Sequence, residues 1–362
     1  MTLYIGTYTR REAFVEGKAE GIYVYQLDPA TGALTYAATV VGAGTINPSF
    51  LTIAPDKGYL YAVNEITGGE GPHGTVSAFA IDPTTKGLTY LNQQSTHGLA
   101  PCYVSIEPGG CYALVANYES GSVCVLGILA DGRLDEATEV VQFSGTGPNP
   151  ERQEGPHAHM ILPGPDGRFI FAVDLGTDKV MVYRLDPERG KLVPADFPWT
   201  ALPPGTGPRH LVFHPHQSFA YVISELQSTV TTLYYNDQRG TFEAVQTIST
   251  LPDDFSGQNL GGEIKVAPSG RFVYASNRGH DSLVIYAVDQ ATGKLSVVGH
   301  ESTQGVGPRD FTIDPAGALL LVANQDTDTV VTFRIDQDSG ALMATGHVAS
   351  VPTPVCLQLL NG

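Results

Sequence analysis

The chain has 362 residues, 42% of them hydrophobic, with 41 glycines and 25 prolines. That is ample material for a large core, too rich in glycine and proline for a helical protein yet below the level of a disordered one. A formal charge of −17 argues against a nucleic-acid partner, whose phosphates need a basic footprint, and against an anionic membrane surface.

The chain opens on TLYIGTYT, which alternates as a β-strand and lacks the basic start of a secretory signal. No run of 18 apolar residues follows that would span a bilayer, so a soluble, cytoplasmic protein is expected. From Pro55 onward one unit returns: IAPDKGYLYAVNE, IEPGGCYALVANYE, GPDGRFIFAVDLG, FHPHQSFAYVISEL, VAPSGRFVYASNRG and IDPAGALLLVANQD. Each reads as strand, proline turn, strand, with prolines at 55, 108, 165, 215, 268 and 315. Seven hairpin turns punctuate the same chain: LDPATGAL, IDPTTKGL, LADGRL, LDPERGKL, YNDQRGTF, VDQATGKL and IDQDSGAL. Their Asp, Pro and Gly supply tight-turn chemistry, and helical periodicity is scarce.

Four short strands per unit and seven units predict an all-β, seven-bladed β-propeller of four-stranded antiparallel blades, one domain over residues 1–362. The C-terminal PTPVCLQLL reads as an innermost strand and TLYIGTYT as its neighbour. The two ends are expected to share one blade, closing the ring and removing sheet edges. Cys102, Cys111, Cys124 and Cys356 lie in strand-like segments without CxxC spacing, so free buried thiols are expected.

The repeat also sorts the polar residues by location. With strands a to d running outwards from the central channel, the entry to a and the b–c connection share one face of the disc. The a–b and c–d turns share the other. Strand a begins five or six residues ahead of each turn proline, with Ser49, Cys102, Arg209, Gly262 or Arg309. In blade 4, EGPHAHMILPGPDG carries two additional residues: aligning on Pro156 places His157 there, aligning on Pro165 places His159. Ten residues after each proline, just past strand b, stand Glu65, Tyr118, Leu175, Glu225, Arg278 and Gln325.

Both positions open on one rim, where Arg209, Arg278 and Arg309 converge in an acidic protein and suggest an anion site. A structural reading stands beside this one, in which such charges tie neighbouring blades together and Arg209 simply pairs with Glu225. Nine residues after each proline come Asn64, Asn117, Asp174, Ser224, Asn277 and Asn324, a pattern typical of turn capping. Asn277 and Asn324 are nevertheless counted with Arg309, Glu65 and Tyr118 as candidate substrate ligands.

His214 and His216 flank an a–b turn and belong on the face away from His157 and His159, so the four do not combine into a metal site. No metal is expected. Nucleophile-elbow, P-loop and dinucleotide signatures are absent. The loops Gly6–Gly21 and Glu65–Gly74 are expected to overhang the rim, with Arg10, Arg11, Lys18 or His73 as candidates to reach a substrate.

YIGTYT, GPHAH with PDGRFIFAVDLGTDKV, GPRHLVFHP and YASNRGHDSL together resemble the seven-bladed propeller lactonases. That family includes the bacterial propeller-type 6-phosphogluconolactonase and the fungal enzyme that cyclises carboxymuconate. The likeness runs over essentially the whole chain. It implies an active site of one histidine, two arginines and a glutamate: His157 or His159, Arg209, Glu225 and Arg278. It also implies hydrolysis of a phosphorylated sugar lactone in the pentose phosphate pathway, without a cofactor, by a monomer or small homo-oligomer. In that chemistry the histidine or Glu225 activates water, one arginine holds the developing oxyanion, and the other holds phosphate with Arg309. Two alternatives stand: a muconate-type cycloisomerase using the same groups, and a non-catalytic propeller binding a small acid or a protein partner.

Overall fold

The computed structural model describes residues 1–67 and 74–361. Among them the chain forms seven four-stranded antiparallel sheets and one two-stranded hairpin, and no helix. Second strands such as Phe219–Ser224 and Leu319–Asn324 are buried along their whole length. They sit between two neighbouring blades and so read as continuous apolar runs rather than alternating ones. Outermost strands such as Leu134–Gln142 have one wet face, and their burial varies along the strand.

Seven separate apolar clusters hold the disc together, one at each junction between blades. Between blades 4 and 5, Phe171 packs on Phe242 at 5.0 Å and Phe213 on Tyr235 at 5.1 Å between ring centroids. Because the core is divided among the junctions, the central channel is left to polar side chains.

The ends share a blade, as the sequence predicts: Pro354–Leu360 is the innermost strand and pairs antiparallel with Thr2–Thr7, Ile5 opposite Leu357. The outer hairpin turns place Gly32, Gly132, Gly190, Gly240, Gly293 and Gly340 in the left-handed region. In IDPTTKGL it is Lys86 that takes this conformation, at φ 60°. All four cysteines are free; Cys102, Cys124 and Cys356 are buried, whereas Cys111 is exposed. It belongs to the PGGC turn, outside the strand pattern that misled the expectation.

Candidate active site

The innermost strands of blades 3, 4, 5 and 7 each carry a β-bulge at their first residues. Their pairing steps from Pro101 to Tyr103, Ala158 to Met160, Pro208 to His210, and Pro308 to Asp310. The residues passed over are Cys102, His159, Arg209 and Arg309. A bulged residue leaves the ladder and its side chain is re-aimed. All four line a pocket of about 930 Å³ at the channel mouth, with Glu65, Tyr118, Glu225, Arg278 and Gln325 from the ends of second strands.

The bulge separates the two candidate histidines. His159 lines the pocket. His157 stacks on Tyr118 at 4.6 Å, with Nδ1 3.1 Å from the Tyr118 carbonyl and Nε2 3.0 Å from Glu154. It braces the wall and is not part of the lining.

Asn277 and Asn324 lie behind the pocket, fully buried. Their Nδ2 groups donate to the carbonyls of Thr250 at 2.7 Å and Thr303 at 3.0 Å, knitting loops together. Arg10 pairs with Glu12 and Lys18 with Asp328, and Arg11 is exposed; none of these lines the pocket. Their loop instead contributes Ala13 and Phe14, between the hairpin strands Arg11–Glu12 and Val15–Glu16. His73 lies outside the described residues. His214 and His216 contact the carbonyls of Gly270 and Pro268, at the far end of the blade-5 strands from Arg209.

Glu225, only 3% exposed, is the hub. Its Oε2 accepts from Arg209 Nη1 at 2.8 Å and Arg278 Nη2 at 2.6 Å, and its Oε1 from Arg152 Nη2 at 2.5 Å. Burial opposes its charge, but Arg278, Arg209 and Arg152 outweigh this and hold the carboxyl well below the usual range. Burial, opposed by Glu225 and aided by Arg209 and Arg309, draws Arg278 down to about 9, so it is still cationic at neutral pH. His159 contacts Arg209 Nη1 through Nε2 and lies 3.7 Å from Cys102 Sγ through Nδ1. Burial and then Arg209 push its pKa far down, leaving a neutral ring.

Two groups escape the sequence argument. Arg152 sits in the longest connection entering an innermost strand, GTGPNPERQEGPH, where the repeat assigns no positions. The only signal was that this loop enters on the pocket face. Below the pocket, His210 Nδ1 meets Glu263 at 2.8 Å, while Lys265 lies 3.6 Å from Glu263 and 3.9 Å from Asp310. Asp310 Oδ2 accepts the Leu357 amide at 2.6 Å, whereas Asp310 Oδ1 and His210 Nε2 have no hydrogen-bond partner among the described residues. His210, Glu263 and Asp310 border a cavity of about 10 Å³, room for a single water, that Glu65, His159, Arg209 and Arg309 also line. Among the described residues no three His, Cys, Asp or Glu side chains converge in metal-binding geometry.

Comparison with known proteins identifies the family. Residues 2–359 match the family model described as Lactonase, 7-bladed beta-propeller. The chain is 38% identical to the 6-phosphogluconolactonase of Bacillus subtilis over 358 residues, 99% of this chain and 98% of that one. It is 31% identical to the 6-phosphogluconolactonase of Klebsiella pneumoniae over 82% of each chain. The structure of the Pseudomonas aeruginosa periplasmic gluconolactonase PpgL superposes with a TM-score of 0.90 at 37% identity, covering 99% of this chain and 98% of the other. The chain therefore belongs to the seven-bladed β-propeller lactonases, a family of lactone hydrolases.

Proposed function

We propose that the pocket hydrolyses a sugar δ-lactone, and that the natural substrate is 6-phosphogluconolactone, opened to 6-phosphogluconate in the cytoplasm. The observation that carries this is the convergence of Arg152, Arg209 and Arg278 on the single carboxylate of Glu225. Three guanidiniums around one carboxylate leave positive charge in surplus. Arg309 adds more, because its contacts are to the neutral groups Gln325 and Tyr8. Such a site stabilises a carbonyl oxygen as it becomes an oxyanion and anchors a phosphate. A δ-lactone is already reactive, so positioning and charge suffice without a cofactor. Glu225 serves to hold the arginines in place, with Arg209 and Arg278 nearest the oxyanion and Arg309 on the phosphate.

One observation favours an unphosphorylated aldonolactone instead: Glu119, Asp281 and Asp326 also line the pocket and offset the arginines at its rim. Acid release from freshly made 6-phosphogluconolactone and from gluconolactone, above the spontaneous rates, separates the two. On the phosphorylated reading, Arg309→Ala raises KM for 6-phosphogluconolactone at least tenfold and leaves gluconolactone nearly untouched. Equal effects on both would reject the phosphate anchor. No acceleration of either would reject lactone hydrolysis, and muconate absorbance would then test the cycloisomerase.

A further inference from the structure

Glu65 directly follows the second strand of blade 2 (Tyr59–Asn64), and the Tyr8 hydroxyl that it holds also accepts from Arg309 Nη2 at 3.1 Å. It is 5% exposed, yet it lines both the main pocket and the water-sized cavity beneath. Its Oε2 accepts from Tyr8 Oη at 2.8 Å and Ser49 Oγ at 2.6 Å. The Asn47 side chain and carbonyl fix its backbone, both at 3.0 Å. Oε1 receives no hydrogen bond from the described residues. Among the described residues one oxygen is clamped and the other is left open, which is how a base keeps a fixed place while offering a lone pair to water.

The other two candidates offer less. Both oxygens of Glu225 are engaged by arginines. The Nε2 of His159 is engaged by Arg209, and its Nδ1 faces a thiol.

We propose that Glu65 is the general base of the site, a reading that rests on the lactone hydrolysis set out above. Glu65 Oε1 takes a proton from water as the water oxygen bonds to the lactone carbonyl carbon. The C=O electron pair moves onto oxygen, facing the arginines. When the carbonyl re-forms, the ring C–O bond breaks and the ring oxygen takes the proton back from Glu65. That transfer restores the Glu65 carboxylate, and the open hydroxy acid then releases its own carboxyl proton to solvent.

Burial raises the Glu65 pKa above the ordinary glutamate value, against Arg309, Ser49, Tyr8 and Arg209, which lower it. Cys102 also faces it and is held as a neutral thiol by burial. Beyond the small cavity lie His159, His210, Glu263 and Asp310.

The test is kcat and KM against pH for the wild type, Glu65→Gln and Ser49→Ala, on 6-phosphogluconolactone and gluconolactone. The expected result is a 10²- to 10⁴-fold fall in kcat for Glu65→Gln, with KM within about threefold and an unchanged melting temperature. The wild-type acid limb is expected above the ordinary glutamate value. Ser49→Ala, which removes a donor to Oε2, moves that limb to higher pH. A wild type inactive on both lactones overturns the lactone reading, and the base with it. An active wild type whose Glu65→Gln variant keeps kcat within fivefold overturns the base alone. So does an acid limb that Ser49→Ala leaves in place, which decides the matter even if Glu65→Gln fails to fold.

Discussion

The channel holds two buried ionic networks, one above the other, and their charges are balanced in opposite senses. The upper gathers three arginines on Glu225 and carries surplus positive charge beside an open pocket. The lower sets Glu263 and Asp310 against one lysine and His210, and encloses space for one water. Burial draws the His210 pKa down despite Glu263, so the ring adds little positive charge. Buried charges cost free energy unless they are closely paired. Surplus cations are tolerable where an anionic ligand or transition state can complete the pairing. A sealed network must complete it internally, and the lower one does so only loosely, since Lys265 stands 3.9 Å from Asp310 Oδ1, which has no hydrogen bond among the described residues.

The most severe break is Glu225→Ala, which leaves Arg209 and Arg278 buried without their counter-charge. We expect a loss of roughly 3–5 kcal/mol in unfolding free energy and near-complete loss of kcat/KM; a stable, active variant would remove Glu225 from the centre of the site. Arg278→Ala leaves Glu225 two arginine partners, so we expect little loss of stability but a 10²- to 10³-fold fall in kcat. Steady-state kinetics and chemical denaturation together check this separation. Glu263→Gln in the lower network should reverse it: lower stability with kcat/KM within a fewfold. A hundredfold loss of activity there would mean that the two networks act as one.

The finest distinction is in pH. Burial, opposed by Lys265 and aided by Glu263, raises the Asp310 pKa to about 7, so between about pH 4 and 7 the folded chain keeps a proton that the unfolded chain has lost. This group therefore lowers stability as pH rises through that window. Glu225 has the opposite sign: its contribution is complete above the ordinary glutamate pKa and fades only in stronger acid. Urea denaturation of Asp310→Asn should lose the dependence between pH 4 and 7 and keep the acid collapse. A variant with unchanged pH dependence would show that Asp310 is not the titrating group.

The ring is legible in the sequence because each proline turn fixes the offset to the polar residue that caps strand b. The shared rim is legible because topology alone puts the start of strand a beside the end of strand b, and Arg209 meets Glu225 there. The choice between His157 and His159 is not, since a bulge shifts the register by one residue without a compositional mark. The lower network escapes because His210, Glu263, Lys265 and Asp310 lie just beyond the first rim residue, within strands that otherwise read as apolar. Asn277 and Asn324 mislead in the other direction, because the same amide that could bind a sugar hydroxyl is consumed by a backbone carbonyl.

The strand Pro354–Leu360 lines the channel but follows every other blade strand along the chain. During translation, six blades and three strands of the seventh are made before it emerges. Until it docks, Thr2–Thr7 has an unpaired edge and Asp310 lacks the Leu357 amide. A ribosome-bound chain stalled short of this strand should therefore have an open ring and an incomplete lower network.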